Sequence, residues 1–141
     1  MSAREQAICF ECEGDALLGI LHLPGVPLHA VGVLVIVGGP QYRVGSHRQF
    51  TLLARGLAAR GHAVMRFDYR GMGDSDGGPR DFEAVDADIS TAVGEFLRRV
   101  PGLDAVVLWG LCDGASAALM ASGHPAIKGL VLANPWVHTE R

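Results

Sequence analysis

Ala105-Val106-Val107-Leu108-Trp109-Gly110-Leu111-Cys112-Asp113-Gly114-Ala115-Ser116-Ala117-Ala118 reads as an apolar strand, a tight turn and a small-residue helix. The turn has the spacing G-x-C-x-G, which puts a nucleophile at the apex of a strand-to-helix elbow. So sharp a turn swings the central side chain clear of the sheet, and a Cβ at either flanking position would crowd it. Glycine at 110 and 114 removes the crowding and tolerates unusual backbone angles. Cys112 then stands at a helix N-terminus, where partial positive charge favours thiolate. It is the candidate nucleophile, and the N–H of Asp113 is a candidate oxyanion donor. The Asp113 carboxylate acts the other way, because negative charge beside a thiol opposes its ionisation. A buried, inert cysteine in a glycine-bounded turn is the competing reading.

Upstream, the chain alternates strands with helices. Cys9–Glu13 and Ala16–Leu23 read as two short strands joined at Gly14-Asp15, and Pro24-Gly25-Val26-Pro27 as a loop. Val31–Val37 is a continuous, largely β-branched run, as expected of a strand buried on both faces of a parallel sheet. Ser46 is positioned to cap a helix with Phe50, Leu53, Ala54 and Leu57 on one face and Gly61 at its end. Ala63–Phe67 is the next strand. A helix over about Asp81–Val100 carries Phe82, Val85, Ile89, Val93, Phe96, Leu97 and Val100 on one stripe. After the elbow come a helix from Asp113 to about Ser122 and a strand over Ile127–Ala133. The pattern predicts an α/β fold, a mostly parallel sheet with helices on both faces.

Four further features need weighing. Gly38-Gly39-Pro40-Gln41 follows the buried strand expected beside the elbow strand, and such a loop supplies the second oxyanion donor. Pro40 has no N–H, so the donor would be Gly39 or Gln41; a plain strand-ending turn is the alternative. Asp68–Gly77 lacks the third glycine of a dinucleotide fingerprint, and a calcium loop from Asp74 would place Pro79 at its glycine position. That loop reads as support for the carboxyl edge of the sheet. Cys9 and Cys12 form a C-x-x-C, but residues three apart on a strand face opposite sides, which disfavours metal or redox chemistry.

A thiol nucleophile needs a base. His22, His29, His47, His62 and His124 fall where surface roles are the default. His138 and Glu140 follow the last strand, on the edge where ligands bind in such sheets, and are the candidate base and acid. The usual chain order is nucleophile, acid, histidine. A fraying terminus is the bland alternative.

Composition bounds the rest. The 141 residues suffice for one domain, and 19 glycines, about 13% against a usual ~7%, sit at the ends of apolar runs as turn residues. A formal charge of −3 gives no basic footprint for nucleic acid. The N-terminus has no signal-type apolar segment, and no apolar run approaches the ~18 residues of a membrane span. Three irregularly spaced cysteines suit a reducing cytoplasm.

Phe67-Asp68-Tyr69-Arg70-Gly71-Met72-Gly73-Asp74-Ser75 resembles the F-D-x-R-G-x-G-x-S segment of α/β-hydrolases, and Gly110–Gly114 matches their elbow. Val37–Arg43, Gly110–Ala118 and Leu132-Ala133-Asn134-Pro135-Trp136-Val137 look like the exosortase A system-associated hydrolases of the first type, which are associated with bacterial exopolysaccharide and protein-sorting loci. The resemblance implies a hydrolase or acyl-transfer enzyme with Cys112 at the nucleophile position, acting on a small-molecule acyl substrate without cofactor or metal. Cysteine elbows also occur in dienelactone hydrolases. The acid and histidine that the family places after later strands have no counterpart by residue 141. The expectation is thus a single, incomplete α/β-hydrolase domain over residues 1–141, truncated after about the sixth strand and inactive alone. A non-catalytic interaction module, pairing through its exposed C-terminal strand, is the rival.

Overall fold

The structure, a computed structural model, describes residues 3–37, 48–71, 74, 75, 77, 85–121 and 123–134. Along the chain run β1 (Arg4–Cys12), β2 (Asp15–Leu23), β3 (Val31–Ile36), α1 (Gln49–Ala59) and β4 (Val64–Asp68). They are followed by α2 (Asp86–Arg99), β5 (Ala105–Leu111), α3 (Asp113–Met120) and β6 (Ile127–Ala133). The six strands form one sheet in the order β1-β2-β4-β3-β5-β6. β1, β2 and β4 pair antiparallel in succession, while β4, β3, β5 and β6 are mutually parallel. This is the α/β-hydrolase arrangement.

Strand order fixes the layers. The chain leaves β3 toward β4 through α1, then crosses back to β5 through α2 and on to β6 through α3. Right-handed crossovers in opposite directions place α1 on one face and α2 with α3 on the other. The two cores follow. On one side Val33, Val35, Val37 and Val64 pack against Phe50 and Ala54 of α1. On the other, Leu34, Ile36, Met65, Phe67 and Leu108 meet Ile89, Val93 and Phe96 of α2 and Ala117 and Ala118 of α3. Alternation along β3 and β4 thus feeds both cores, which is why Val31–Val37 is continuously apolar. At Gly32 a Cβ would lie 2.8 Å from the Phe96 ring, so glycine there lets α2 settle onto the sheet.

Several boundaries differ from the sequence reading. β1 starts at Arg4 rather than Cys9 because it pairs with β2 along its whole length, Arg4 opposite Leu23, despite its polar outer face. The N-cap of α1 is Arg48, in the left-handed region at φ 60°, without a side-chain cap bond; Ser46 lies outside the described residues. The described part of α2 begins at Asp86, since Val85 departs from helical angles (φ −113°, ψ 12°), and Phe82 is also outside. Val85, Ile89, Val93, Phe96 and Val100 are nonetheless buried on one stripe as expected. The elbow strand runs two residues further than Trp109, and α3 stops at Met120 rather than Ser122.

Phe96 is fully buried whereas Leu52 on α1 is 56% exposed. Phe96→Ala is expected to cost ~3–5 kcal/mol, and Leu52→Ala no more than ~0.5 kcal/mol, in urea unfolding. Equal midpoints for the two variants would contradict the assigned core.

Candidate active site

β5 delivers the chain to the carboxyl edge of the sheet, and α3 leaves immediately. Between them Cys112 has φ 54° and ψ −119°, a conformation that L-residues rarely adopt. Such strain persists only where surrounding bonds hold it. Here the Cys112 N–H donates to the carbonyl of Ala133 at 2.8 Å, extending the β5–β6 ladder. The Cys112 carbonyl accepts the Ser116 N–H at 3.1 Å, opening the first turn of α3. The side chain is left exposed.

Glycine at 110 is obligatory. A Cβ there would lie 2.6 Å from the Ala115 nitrogen and collide with the backbone of Gly114. Helix geometry directs the first N–H groups of α3, those of Asp113 and Gly114, outward toward the Cys112 apex. β3 runs beside β5 with Ile36 opposite Gly110, so the chain leaves β3 at the level of the elbow. The expected donors Gly39 and Gln41, and the candidate base and acid His138 and Glu140, lie outside the described residues.

The β4–α2 connection is held by ionic bonds. Asp88, fully buried on α2, accepts the Arg70 N–H at 2.6 Å and its Nε–H at 2.8 Å. Arg70 also donates to Glu13 at 2.7 Å, clamping the β1–β2 turn, α2 and this loop together. The Asp68 carboxylate accepts the Asp74 N–H at 3.1 Å, and the Ser75 hydroxyl accepts the Leu18 N–H at 2.9 Å while donating to the Asp68 carbonyl. These bonds fit the expected supporting role of the segment at the carboxyl edge.

The other thiols differ from Cys112. Cys9 and Cys12 face opposite sides of β1, the former exposed and the latter buried. Burial, reinforced by the charge of Asp88, pushes the Cys12 thiol up, although a hydrogen bond from Thr91 acts against the rise. No trio of His, Cys, Asp or Glu among the described residues is arranged to hold a metal. None of the described helices is long and apolar enough to cross a membrane.

Sequence reasoning missed His22, expected at the surface but only 1% exposed. Its Nε2 accepts from Arg66 Nε at 3.0 Å, and its Nδ1 lies 3.6 Å from Glu5. A cavity of about 350 Å³ lined in part by Arg4, Glu5, His22 and Arg55 opens onto this group. A second, of about 380 Å³, lies between Asp86 and Ser90 of α2 and His124. Neither is lined by Cys112.

A sheet of this order with a strained residue perched between β5 and α3 defines an α/β-hydrolase. Residues 29–141 match the serine aminopeptidase, S33, family, and the chain belongs to that family. It departs from the family's name in carrying cysteine at the elbow. No match was found among curated proteins. Solved structures of similar fold include the Pyrococcus furiosus esterase Pf2001, at 21% identity and TM-score 0.83, with 95% of this chain and 53% of that one covered. Est1E from Butyrivibrio proteoclasticus, solved with ferulic acid bound, is 21% identical with TM-score 0.75, over 88% and 51% of the two chains. The α/β-hydrolase GrgF from a Penicillium species is 24% identical with TM-score 0.77, over 94% and 46%. The chain spans about half the length of these proteins.

Two outcomes follow from the geometry. Gly110→Ala is expected to destabilise the fold by ~1–3 kcal/mol or more, because backbone rather than a pliable side chain must yield; an unchanged denaturation midpoint would refute the close crossing. Asp88→Ala is expected to cost ~3–5 kcal/mol by stranding Arg70, and the double variant Asp88→Leu/Arg70→Met to recover much of it. Additive losses in that cycle would show that the two residues do not act as a pair.

Proposed function

We propose that residues 1–141 form a single, incomplete hydrolase domain that carries the nucleophile of a cysteine-dependent enzyme for ester, thioester or related acyl bonds. The observation that carries this reading is the exposed Cys112, held at φ 54° and ψ −119° between β5 and α3. In the proposed reaction Cys112 Sγ attacks the acyl carbonyl. The N–H of Asp113, with that of Gly39 or Gln41, stabilises the oxyanion. Collapse of the tetrahedral intermediate expels the alcohol or thiol and leaves an acyl-cysteine, which water or another acceptor then cleaves. His138 and Glu140 are the candidate base and acid within the chain. The family order instead assigns those roles to residues following later strands. That order underlies the proposal that residues 1–141 alone turn over poorly.

The Val37–Arg43 and Leu132–Val137 stretches support placing the chain among exosortase A system-associated hydrolases. Three cysteines without a disulfide favour a cytoplasmic setting. A second reading, as an interaction module, has its own support. Val131 of β6 is 46% exposed, and on that reading β6 pairs with a strand of the partner.

Acylation discriminates between the readings. Treated with p-nitrophenyl acetate, the protein is expected to release a burst of about one equivalent of nitrophenolate and to acquire an acetyl group on Cys112. Both should vanish in Cys112→Ser, and iodoacetamide should label Cys112 ahead of Cys9 and Cys12. Equal labelling of the three thiols, or no burst, would count against the nucleophile. Steady turnover well above buffer would overturn the inactivity of residues 1–141.

A further inference from the structure

On the α1 face, where His22 is level with Val107 and Arg66 with Trp109 of the elbow strand, polar side chains join four elements of the fold. Thr51 and Arg55 come from α1, Glu5 from β1, His22 from β2 and Arg66 from β4. Arg66 donates through one terminal nitrogen to the Thr51 hydroxyl at 3.1 Å and through Nε to His22 Nε2 at 3.0 Å. Arg55 donates twice to the Glu5 carboxylate, whose Oε1 also faces His22 Nδ1 at 3.6 Å. Arg55 thus binds α1 to β1, and Arg66 binds it to β4 and, through His22, to β2.

The imidazole is the one member whose bonding reverses over a biologically accessible pH range. Arg66 has no acceptor, so His22 Nε2 must be the lone-pair nitrogen and Nδ1 must carry the proton. A second proton on Nε2 would set two donors and two positive charges face to face at 3.0 Å. The cavity bordered by Arg4, Glu5 and Arg55 gives that proton a path to an otherwise buried ring.

We propose that His22 is an acid-released latch for α1: uptake of a proton at Nε2 breaks its bond to Arg66 and loosens α1 from the β1–β2–β4 side of the sheet. All charged groups facing the ring bear on the sign. Among the described residues, Arg66 and Arg55 oppose the imidazolium and Glu5 favours it. Burial and the Arg66 charge hold the His22 pKa down to about 4 from an ordinary 6.5, against the pull of Glu5. The opened form therefore binds the proton more tightly, so the latch is fully closed above about 6.5 and weakens as pH falls toward about 4. Glu5 remains charged over much of this range, because its hydrogen bond from Arg55 keeps its carboxyl below the usual value.

The test is an NMR titration of the histidine rings with amide-exchange protection factors measured in parallel. At neutral pH His22 should be the Nδ1–H tautomer, with an apparent pKa near 4. Protection of α1 amides should fall ~30-fold from pH 8 to pH 5, the ratio given by pKa values of 6.5 and about 4, while β3 and β5 amides hold. His22→Gln offers Arg66 an acceptor that cannot titrate, and should flatten the α1 profile. Glu5→Gln removes the one favourable charge and should move the acid step to lower pH. The wild-type titration decides even where a variant fails to fold. A His22 pKa near 6.5, an equal loss of protection throughout the sheet, or an undiminished acid step in His22→Gln would each overturn the latch.

Discussion

The molecule depends on one close crossing, where α3 turns back over the end of β5. There the backbone of Gly114 and Ala115 occupies the space a Cβ on residue 110 would need. This contact sets the direction of α3, whose alanines then close the core against Leu34, Ile36 and Leu108. It also forces the left-handed φ at Cys112 and lifts the thiol out of the sheet. One steric requirement thus links core packing to site geometry. The strain at Cys112 is offset by its backbone bonds to Ala133 and Ser116, which tie it to β6 and α3.

Around that frame, among the described residues, the fold buries an arginine in two places, and for different ends. Arg70 and Asp88 neutralise each other, with Glu13 adding a further carboxylate at the rim. Replacing such a pair with apolar residues often leaves stability unchanged or improved, so its role here is better sought in specificity. It dictates which residue of the β4–α2 connection meets α2 and the β1–β2 turn. The second place, Arg66 with His22, buries a cation beside a neutral base. That arrangement is stable only while the base stays neutral, which on the proposal above makes the seating of α1 sensitive to acid.

Much of this was readable because the decisive signals are local. The β-branched run of Val31–Val37 announced a doubly buried strand, and the glycine spacing around Cys112 announced the elbow. β6 matched the reading at both ends, Ile127 and Ala133. The misreadings have a physical pattern. β1 extends beyond its apolar sequence signal because an edge strand can be polar on its free face and still pair along its length. His22 lies deeper than its sequence setting suggests because one residue's burial depends on what α1 lays over it, a contact between residues far apart in sequence. Two clues were present nevertheless: Arg66 sits within an otherwise apolar strand, and Asp88 lies on the apolar stripe of α2 beside Ile89. A charge in either position demands a buried partner, but sequence does not say which.

Sulfur at the apex changes what the proposed first step requires. A serine hydroxyl is a poor nucleophile without a base beside it. A thiol is intrinsically the stronger nucleophile. On the proposed reading, then, the first half of the reaction needs little beyond Cys112 and its neighbouring amides. Release of the acyl group is more demanding, because water must be activated by a base. On that reading bond formation and turnover are separable. Cysteine at this apex would thus keep acylation chemistry that a bare hydroxyl without a base would lose.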